Sequence, residues 1–214
     1  MKKTILFDLD GTLIDSTLAI LESFKVAFKS FNLAPPPDSK IKPLIGLPLE
    51  VMFIKLGVSK NKALLFVQKY KEHYKEISKQ KTTLLPNAKE AILLANSFAN
   101  LGVVTTKTGK YSIELLEHFN LMHYFKILVG SEDVKNHKPH PEPIIKAMHY
   151  LNANESLTWM IGDTCLDLIA AKEANIHSIG VKWEYESLEK LKSCGKIIKA
   201  DALEAVNFIK DFKL

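Results

Sequence analysis

Short apolar runs alternate with longer stretches of helical spacing through most of the chain after residue 80. The apolar runs predict strands, which lie at Leu101–Thr105, Ile127–Val129, Thr158–Ile161 and Ser178–Val181. The intervening stretches predict helices, which lie at Pro86–Ala99, Tyr111–Phe119, Pro141–Leu151 and Leu166–Ala174. Strands that alternate with helices of about 10–15 residues are typical of βαβ units, so the pattern predicts an α/β fold with a parallel sheet.

The first 80 residues have a different pattern. Thr4–Phe7 is a short apolar run that predicts a buried strand, and it stops at Asp8. Beyond it, helical spacing covers Ser16 to Phe31, and residues 48–78 are interpreted as two further helices. No strand pattern is found between residues 14 and 80. We therefore predict an all-helical insertion, residues 14–80, within an α/β core formed by residues 1–13 and 81–214.

The charged side chains narrow the choice of partners. The formal net charge is +5, and all 29 basic residues are lysine. Bidentate recognition of phosphates or guanine edges needs guanidinium groups, which the chain lacks. The lysines are scattered and mixed with Glu, which is typical of a solvated surface rather than of a nucleic-acid-binding patch. We predict no nucleic-acid partner.

Apolar length and cysteine content bear on the compartment. No apolar run approaches the roughly 18 residues that a membrane-spanning helix needs, and Thr4–Phe7 is too short for a secretory signal. Cys165 and Cys194 make no disulfide framework and no CxxC metal clip, so Cys165 is interpreted as a small buried residue. These features predict a cytoplasmic protein with no membrane partner.

Most of the chemically informative side chains follow the predicted strands. They are carboxylates, hydroxyls and one ammonium group: Asp8 and Asp10, Thr105 and Thr106, Lys138, and Asp163 and Asp167. Ligands of an open parallel sheet bind outside the carboxyl ends of its strands. We therefore expect these groups to meet at one edge of the sheet.

This set of side chains suits phosphoryl transfer. Clustered carboxylates repel one another unless a cation lies among them, and hard oxygen ligands favour Mg²⁺. One carboxylate can attack phosphorus, while a second, two positions further on, donates a proton to the leaving oxygen. A hydroxyl and an ammonium group can bind the oxygens on which charge develops.

The motifs at these strand ends come in a fixed order: Asp8-Leu9-Asp10-Gly11-Thr12, then Thr105, then Lys138, then Asp163 with Asp167. Together they resemble the four motifs of the haloacid dehalogenase-like hydrolase superfamily, in the spelling used by its phosphatases, and the match covers nearly the whole chain. Residues 102–107 and 132–141 resemble the phosphoglycolate phosphatase and pyrophosphatase subgroup most closely. The resemblance implies a Rossmann-like core with a small α-helical cap, which agrees with the predicted helical insertion.

The resemblance also implies a role for each motif residue. Asp8 would be the nucleophile, and Asp10 the general acid and base. Thr105 and Lys138 would hold the transferring phosphoryl group, while Asp167 would orient a metal-bound water or the lysine. The implied Mg²⁺ ligands are Asp8, Asp10 (through its backbone carbonyl), Asp163 and Asp167.

Residues on the substrate side depart from the family pattern. The family often has Asn where this chain has Thr106, and family caps often carry Arg where this chain has Lys71. We predict that Thr106, Gly46 and Lys71 contact the substrate. His137 and His140 flank Lys138, but no thiol or third ligand accompanies them, so zinc is not predicted.

These observations predict a Mg²⁺-dependent phosphoric monoester hydrolase that acts on small phosphorylated metabolites through an aspartyl-phosphate. Its first-choice substrate is 2-phosphoglycolate, by resemblance only. Inorganic pyrophosphate and nucleoside monophosphates are the alternatives among enzymes. Outside enzymes, the alternative is a non-catalytic phosphate sensor of the same fold. The sequence is equally consistent with a monomer and with a homodimer.

Overall fold

A six-stranded parallel sheet forms the centre of the molecule in the computed structural model, which describes residues 2–213. Its strand order is β5-β4-β1-β6-β7-β8. The strands are β1 (Lys3–Phe7), β2 (Ile14–Asp15), β3 (Thr83–Leu84), β4 (Ala99–Val104), β5 (Ile127–Val129), β6 (Thr158–Gly162), β7 (His177–Val181) and β8 (Ile198–Lys199), of which β2 and β3 form a separate pair. The predicted α/β fold with a Rossmann-like parallel core is confirmed.

Helices connect the strands and cover both faces of the sheet. They are α1 (Thr17–Lys29), α2 (Asp38–Ile41), α3 (Leu49–Lys55), α4 (Lys60–Ile77), α5 (Ala88–Phe98), α6 (Gly109–His118), α7 (Glu142–Leu151), α8 (Cys165–Glu173), α9 (Leu188–Cys194) and α10 (Ala202–Asp211). Within residues 2–213, none of these helices combines the length and the apolar character needed to cross a membrane.

Strand β1 is buried because its side chains feed apolar clusters on both faces of the sheet. Ile5 and Phe7 pack in a cluster that includes residues of α5 and α10, whereas Leu6 packs on the opposite face with residues of α7 and α8. All three side chains have no exposed surface. A strand buried on both faces reads as a continuous apolar run, which is why Thr4–Phe7 predicts it without alternation.

The pairing register brings the ends of three strands to one level. Phe7 on β1 lies opposite Val103 on β4 and opposite Ile161 on β6. The next residue of each chain segment, or the one after it, carries a polar group: Asp8, Thr105 and Asp163. The fold therefore collects these groups at the carboxyl edge of the sheet.

The helices between β2 and β3 form an apolar cluster of their own. Phe24, Phe53, Phe66 and Tyr70 are buried in it. Ring centroids of Phe24 and Phe53 lie 4.5 Å apart, and those of Phe24 and Tyr70 lie 5.0 Å apart. The segment is helical as predicted, although the description of residues 14–80 as a separate cap domain stays a prediction.

The ends of this segment differ from the sequence prediction. Ile14 pairs with Leu84, and Asp15 pairs with Thr83, in a two-stranded antiparallel ladder. The prediction of no strand between residues 14 and 80 is therefore wrong at its first two residues. Two-residue strands have no periodicity to detect, because one alternation of side chains is all they contain.

The two cysteines are also corrected by the structure. Cys165, at the start of α8, is joined to Cys194, at the end of α9, by a disulfide bond. Cys165 is buried as predicted, with 6% of its surface exposed, but it is not a free thiol. The sequence prediction treated the two residues separately because they lie 29 positions apart.

Loss of this disulfide is expected to destabilise the protein. The bond closes a loop over a sequence separation of 29 residues, and cross-links of that span contribute roughly 2–4 kcal/mol to the free energy of unfolding. Cys194→Ser should therefore lower the melting temperature by roughly 5–15 °C in a scan without reductant. Wild-type protein in excess dithiothreitol should melt with the variant. An unchanged wild-type melting temperature after complete thiol titration would contradict the expectation.

Candidate active site

The turn after β1 presents the first two carboxylates. Asp8 follows the strand directly, and its backbone N–H donates to the Ile161 carbonyl at 2.8 Å. Gly11 adopts a φ of +81°, and a Cβ there would collide with the carboxylate of Asp163. Glycine is required at this position for both reasons, since side chains rarely adopt that backbone conformation. The turn thereby brings the first motif against the loop after β6.

Lys138 lies at the centre of the site, almost completely buried. Its Nζ donates to Asp8 Oδ1 at 2.8 Å, to Asp167 Oδ1 at 2.5 Å and to the Val104 carbonyl at 2.8 Å. Burial by itself lowers the pKa of a lysine, but the carboxylates of Asp167 and Asp8 outweigh it, so the pKa of Lys138 is raised. The side chain is therefore a fixed cation beside Asp8.

Three buried carboxylates surround a position suited to a divalent metal ion. Asp8, Asp163 and Asp167 each offer an oxygen within 4.8 Å of the others. Thr12 Oγ1 donates to Asp163 Oδ1 at 3.2 Å, whereas the buried Asp163 Oδ2 finds no hydrogen-bond partner within residues 2–213. A buried carboxylate oxygen without a partner is costly, and a cation ligand removes that cost.

The protonation of these carboxylates leads to the same inference. Burial raises the pKa of Asp8 to about 7, with Lys138 opposing the rise. Burial, together with the charges of Asp8 and Asp167, raises the pKa of Asp163 well above its usual range. A bound divalent cation would restore the ionised forms. The donor set, all oxygen and mostly carboxylate, fits such an ion.

Asp167 already has partners for both of its oxygens. Oδ1 accepts from Lys138, and Oδ2 accepts from the hydroxyl of Thr164 at 2.8 Å and from its backbone N–H at 3.1 Å. Asp167 thus holds Lys138 in place at the start of α8. This geometry supports orientation of the lysine more directly than metal ligation.

Asp10 is held by one hydroxyl and one lysine. Ser16 Oγ donates to Asp10 Oδ1, and Lys107 Nζ lies 3.1 Å from Asp10 Oδ2. The Lys107 side chain is 9% exposed, and Nζ also donates to Tyr74 Oη at 3.0 Å. The sequence prediction gave Lys107 no role, because one lysine among 29 carries no signal of its own.

Thr105 is placed to donate a hydrogen bond into the site. It is 5% exposed, and its backbone N–H donates to the Val129 carbonyl at 3.0 Å, which extends the ladder beyond β4. Its Oγ1 accepts from the Lys107 backbone N–H at 3.1 Å. The hydroxyl proton of Thr105 therefore remains available to an incoming acceptor.

The residues predicted to contact substrate lie around one cavity beside Asp10. Thr106 Oγ1 donates to the Gly46 carbonyl at 2.8 Å, and both residues line this cavity together with Lys71. Their contact joins the loop after β4 to the helical segment above it. The structure thus brings the three together, and their contact with substrate stays a prediction.

The Rossmann-like sheet, the helical segment after β1 and the acidic site at the carboxyl edge define an enzyme class with a carboxylate at its reactive centre. A family model for haloacid dehalogenase-like hydrolases matches residues 5–181. The chain belongs to this family, and its neighbours place it in the phosphatase-like subgroup.

Individual relatives agree with this assignment. The chain is 32% identical over 212 residues to a probable phosphatase, IndB, of Dickeya dadantii, covering 96% of this chain and 92% of that protein. It is 34% identical over 193 residues to the pyrophosphatase PpaX of Oceanobacillus iheyensis, covering 89% and 88%. The crystal structure of a predicted phosphatase from Clostridium acetobutylicum matches with a TM-score of 0.88 at 30% identity, covering 99% and 100%. The prediction of a hydrolase of phosphoric esters is confirmed.

Proposed function

We propose that this protein is a Mg²⁺-dependent phosphatase of small phosphorylated metabolites that works through an aspartyl-phosphate on Asp8. The observation that carries the proposal is the contact between the Asp8 carboxylate and the buried Lys138 ammonium group, beside the unpartnered oxygen of Asp163. A carboxylate, a fixed cation and a vacant oxygen ligand at one strand edge are what phosphoryl transfer requires.

In the first step, an oxygen of Asp8 attacks phosphorus and the bond from phosphorus to the leaving oxygen breaks. Asp10 gives that oxygen a proton. In the second step, Asp10 takes a proton from water, the water oxygen attacks phosphorus, and the bond to Asp8 breaks. Inorganic phosphate leaves, and both carboxylates return to their initial states.

Three further residues support the transferring group. Lys138 and the Thr105 hydroxyl bind phosphoryl oxygens as negative charge develops, and Asp167 keeps the lysine oriented. Asp8, Asp163 and the backbone carbonyl of Asp10 would hold Mg²⁺, with Asp167 beside them. When bound, the ion supplies positive charge that offsets the repulsion between phosphate and carboxylates.

For the substrate we propose 2-phosphoglycolate first and inorganic pyrophosphate second. The first rests on subgroup resemblance, and the second is favoured by relatives named pyrophosphatase PpaX. The cavity beside Asp10 is lined largely by apolar and tyrosine side chains, among them Ile45, Met52 and Tyr111, which suits a compact substrate better than a nucleoside monophosphate. We place the enzyme in the cytoplasm, as a monomer or a homodimer, without a nucleic-acid or membrane partner.

Release of inorganic phosphate tests the proposal. Purified protein with Mg²⁺ should release phosphate from p-nitrophenyl phosphate, and EDTA should abolish the release. A non-catalytic phosphate sensor would release none under either condition. A panel of 2-phosphoglycolate, pyrophosphate, other small phosphomonoesters and nucleoside monophosphates, ranked by kcat/KM, then identifies the substrate class.

Replacement of Asp163 is expected to weaken metal use specifically. Asp163→Asn removes the charge of the oxygen that lacks a partner, so the Mg²⁺ concentration for half-maximal activity should rise roughly tenfold or more. Calorimetric titration with Mg²⁺ should show the same loss without substrate. Asp211→Asn, at an exposed position at the end of α10, is the matched control. Equal Mg²⁺ dependence of Asp163→Asn and the control would remove Asp163 from the metal site.

A further inference from the structure

The cavity beside Asp10 carries a surplus positive charge. Among the described residues, its charged lining consists of Asp10, Lys71 and Lys107, which is one carboxylate against two ammonium groups. The remaining lining is mostly apolar or aromatic, including Leu49, Met52 and several tyrosines. A net cation in a largely apolar pocket favours an anionic ligand group, because little solvent screens the attraction.

Lys107 is the buried cation of this cavity. Its side chain is 9% exposed, and its Nζ lies 3.1 Å from Asp10 Oδ2 and 4.6 Å from the centroid of the Tyr74 ring. Tyr74 Oη accepts from the same nitrogen at 3.0 Å. The ammonium group is thus held between the helical segment and the sheet edge, immediately beside the carboxylate that handles the leaving oxygen.

The other buried lysine is already committed. Lys138 donates to Asp8, to Asp167 and to a backbone carbonyl, so it serves the transferring phosphoryl group. Lys107 has one carboxylate partner, Asp10, and it lies on the cavity side of that carboxylate. The two lysines therefore face different parts of one substrate.

We propose that Lys107 recognises a second anionic group on the substrate, carried by the part that leaves. In the free enzyme Lys107 pairs with Asp10. The substrate's carboxylate or second phosphate replaces that partner, and Asp10 Oδ2 is then free to approach the leaving oxygen. The enzyme would therefore act best on compact substrates with an anionic group close to the scissile bond. This inference rests on the proposed phosphatase function.

The pairing exchange predicts selectivity in turnover as well as in binding. Binding energy from a part of the substrate that does not react is used to assemble the catalytic groups. A substrate without the second anion leaves Lys107 against Asp10, so it should lose kcat in addition to any rise in KM. Simple anion attraction by a surface lysine would affect KM alone.

Substrate pairs test this inference. The kcat/KM values for 2-phosphoglycolate, pyrophosphate and ethyl phosphate would be measured for wild type, Lys107→Met, Lys107→Gln and Lys107→Arg. The change in each ratio to ethyl phosphate on substitution cancels the intrinsic reactivity of the substrates. Comparison of phosphoglycolate with pyrophosphate distinguishes a carboxylate from a phosphate as the second anion.

Removal of the charge should lower the ratio of a dianionic substrate to ethyl phosphate roughly 10- to 100-fold in both Lys107→Met and Lys107→Gln. Gln keeps a hydrogen-bond donor near Tyr74, which covers the case in which the Met variant does not fold. Lys107→Arg should retain most of the ratio. Lys110→Met, an exposed neighbour on α6, should retain all of it.

Two results would overturn the inference while the phosphatase function stands. One is a wild-type enzyme that hydrolyses ethyl phosphate as efficiently as both dianionic substrates. The other is a ratio that stays constant in folded Lys107→Met or Lys107→Gln protein. Absence of hydrolysis of any phosphate compound by the wild type would instead reject the proposed function itself.

Discussion

Asp8→Asn will lose the phosphoenzyme and essentially all turnover. An amide oxygen is a poor nucleophile, and loss of the attacking group of a two-step hydrolase costs roughly four to six orders of magnitude in kcat. Asn is similar in size, so the hydrogen bond from Lys138 can persist and the fold should be retained. The measurement is phosphate retained on the protein after acid quench of a reaction with radiolabelled substrate, together with steady-state kcat.

The matched control for this variant is again Asp211→Asn, which changes an exposed carboxylate far along the chain. It should trap phosphate and turn over like the wild type. Label retained on folded Asp8→Asn protein would show that the nucleophile lies elsewhere. Asp163 and Asp167 would then be the next carboxylates to replace, because they share the acidic cluster.

The second large effect is expected at Asp10, and it should depend on the leaving group. Asp10→Asn cannot donate a proton, so hydrolysis of an alkyl phosphate should slow by roughly 10²–10⁴-fold. p-Nitrophenolate leaves without a proton, so p-nitrophenyl phosphate should lose much less at the first step. The ratio of kcat/KM for the two substrates, in wild type and variant, measures the difference.

Ser16→Ala is a useful companion to Asp10→Asn. Ser16 Oγ donates to Asp10 but does not belong to the proposed proton path, so its loss should have a smaller effect that follows the same leaving-group trend. If Asp10→Asn slows both substrates by one common factor, Asp10 does not protonate the leaving oxygen. Its contacts with Lys107 and Ser16 would then serve only to hold the loop.

The core could be predicted from sequence because burial leaves a strong local pattern. Ile127–Val129 is predicted with the same bounds that the structure shows, and the strand at Thr158–Ile161 is extended only to Gly162. Residues beyond β7 were not assigned elements, yet they form α9, β8 and α10. Strand β8 has two residues at the sheet edge, too short for a periodic signal.

The candidate site divides along similar lines. Asp8, Thr105, Lys138 and Asp163 are found from motifs and from their positions at strand ends, since topology alone brings such ends together. Lys107 and the disulfide of Cys165 with Cys194 depend on contacts between distant parts of the chain. No local pattern encodes them, because burial and pairing of a particular lysine or cysteine appear only after the helices and loops are placed.

The short ladder of β2 with β3 has an evolutionary consequence. It holds the chain where it departs from the sheet next to the point where it returns, with Ile14 opposite Leu84 and Asp15 opposite Thr83. Everything between them is attached through two adjacent points, which is the arrangement that tolerates insertion and replacement of whole segments. The helices that line the substrate cavity can therefore be exchanged or lengthened over generations while the carboxylates at the sheet edge are inherited unchanged.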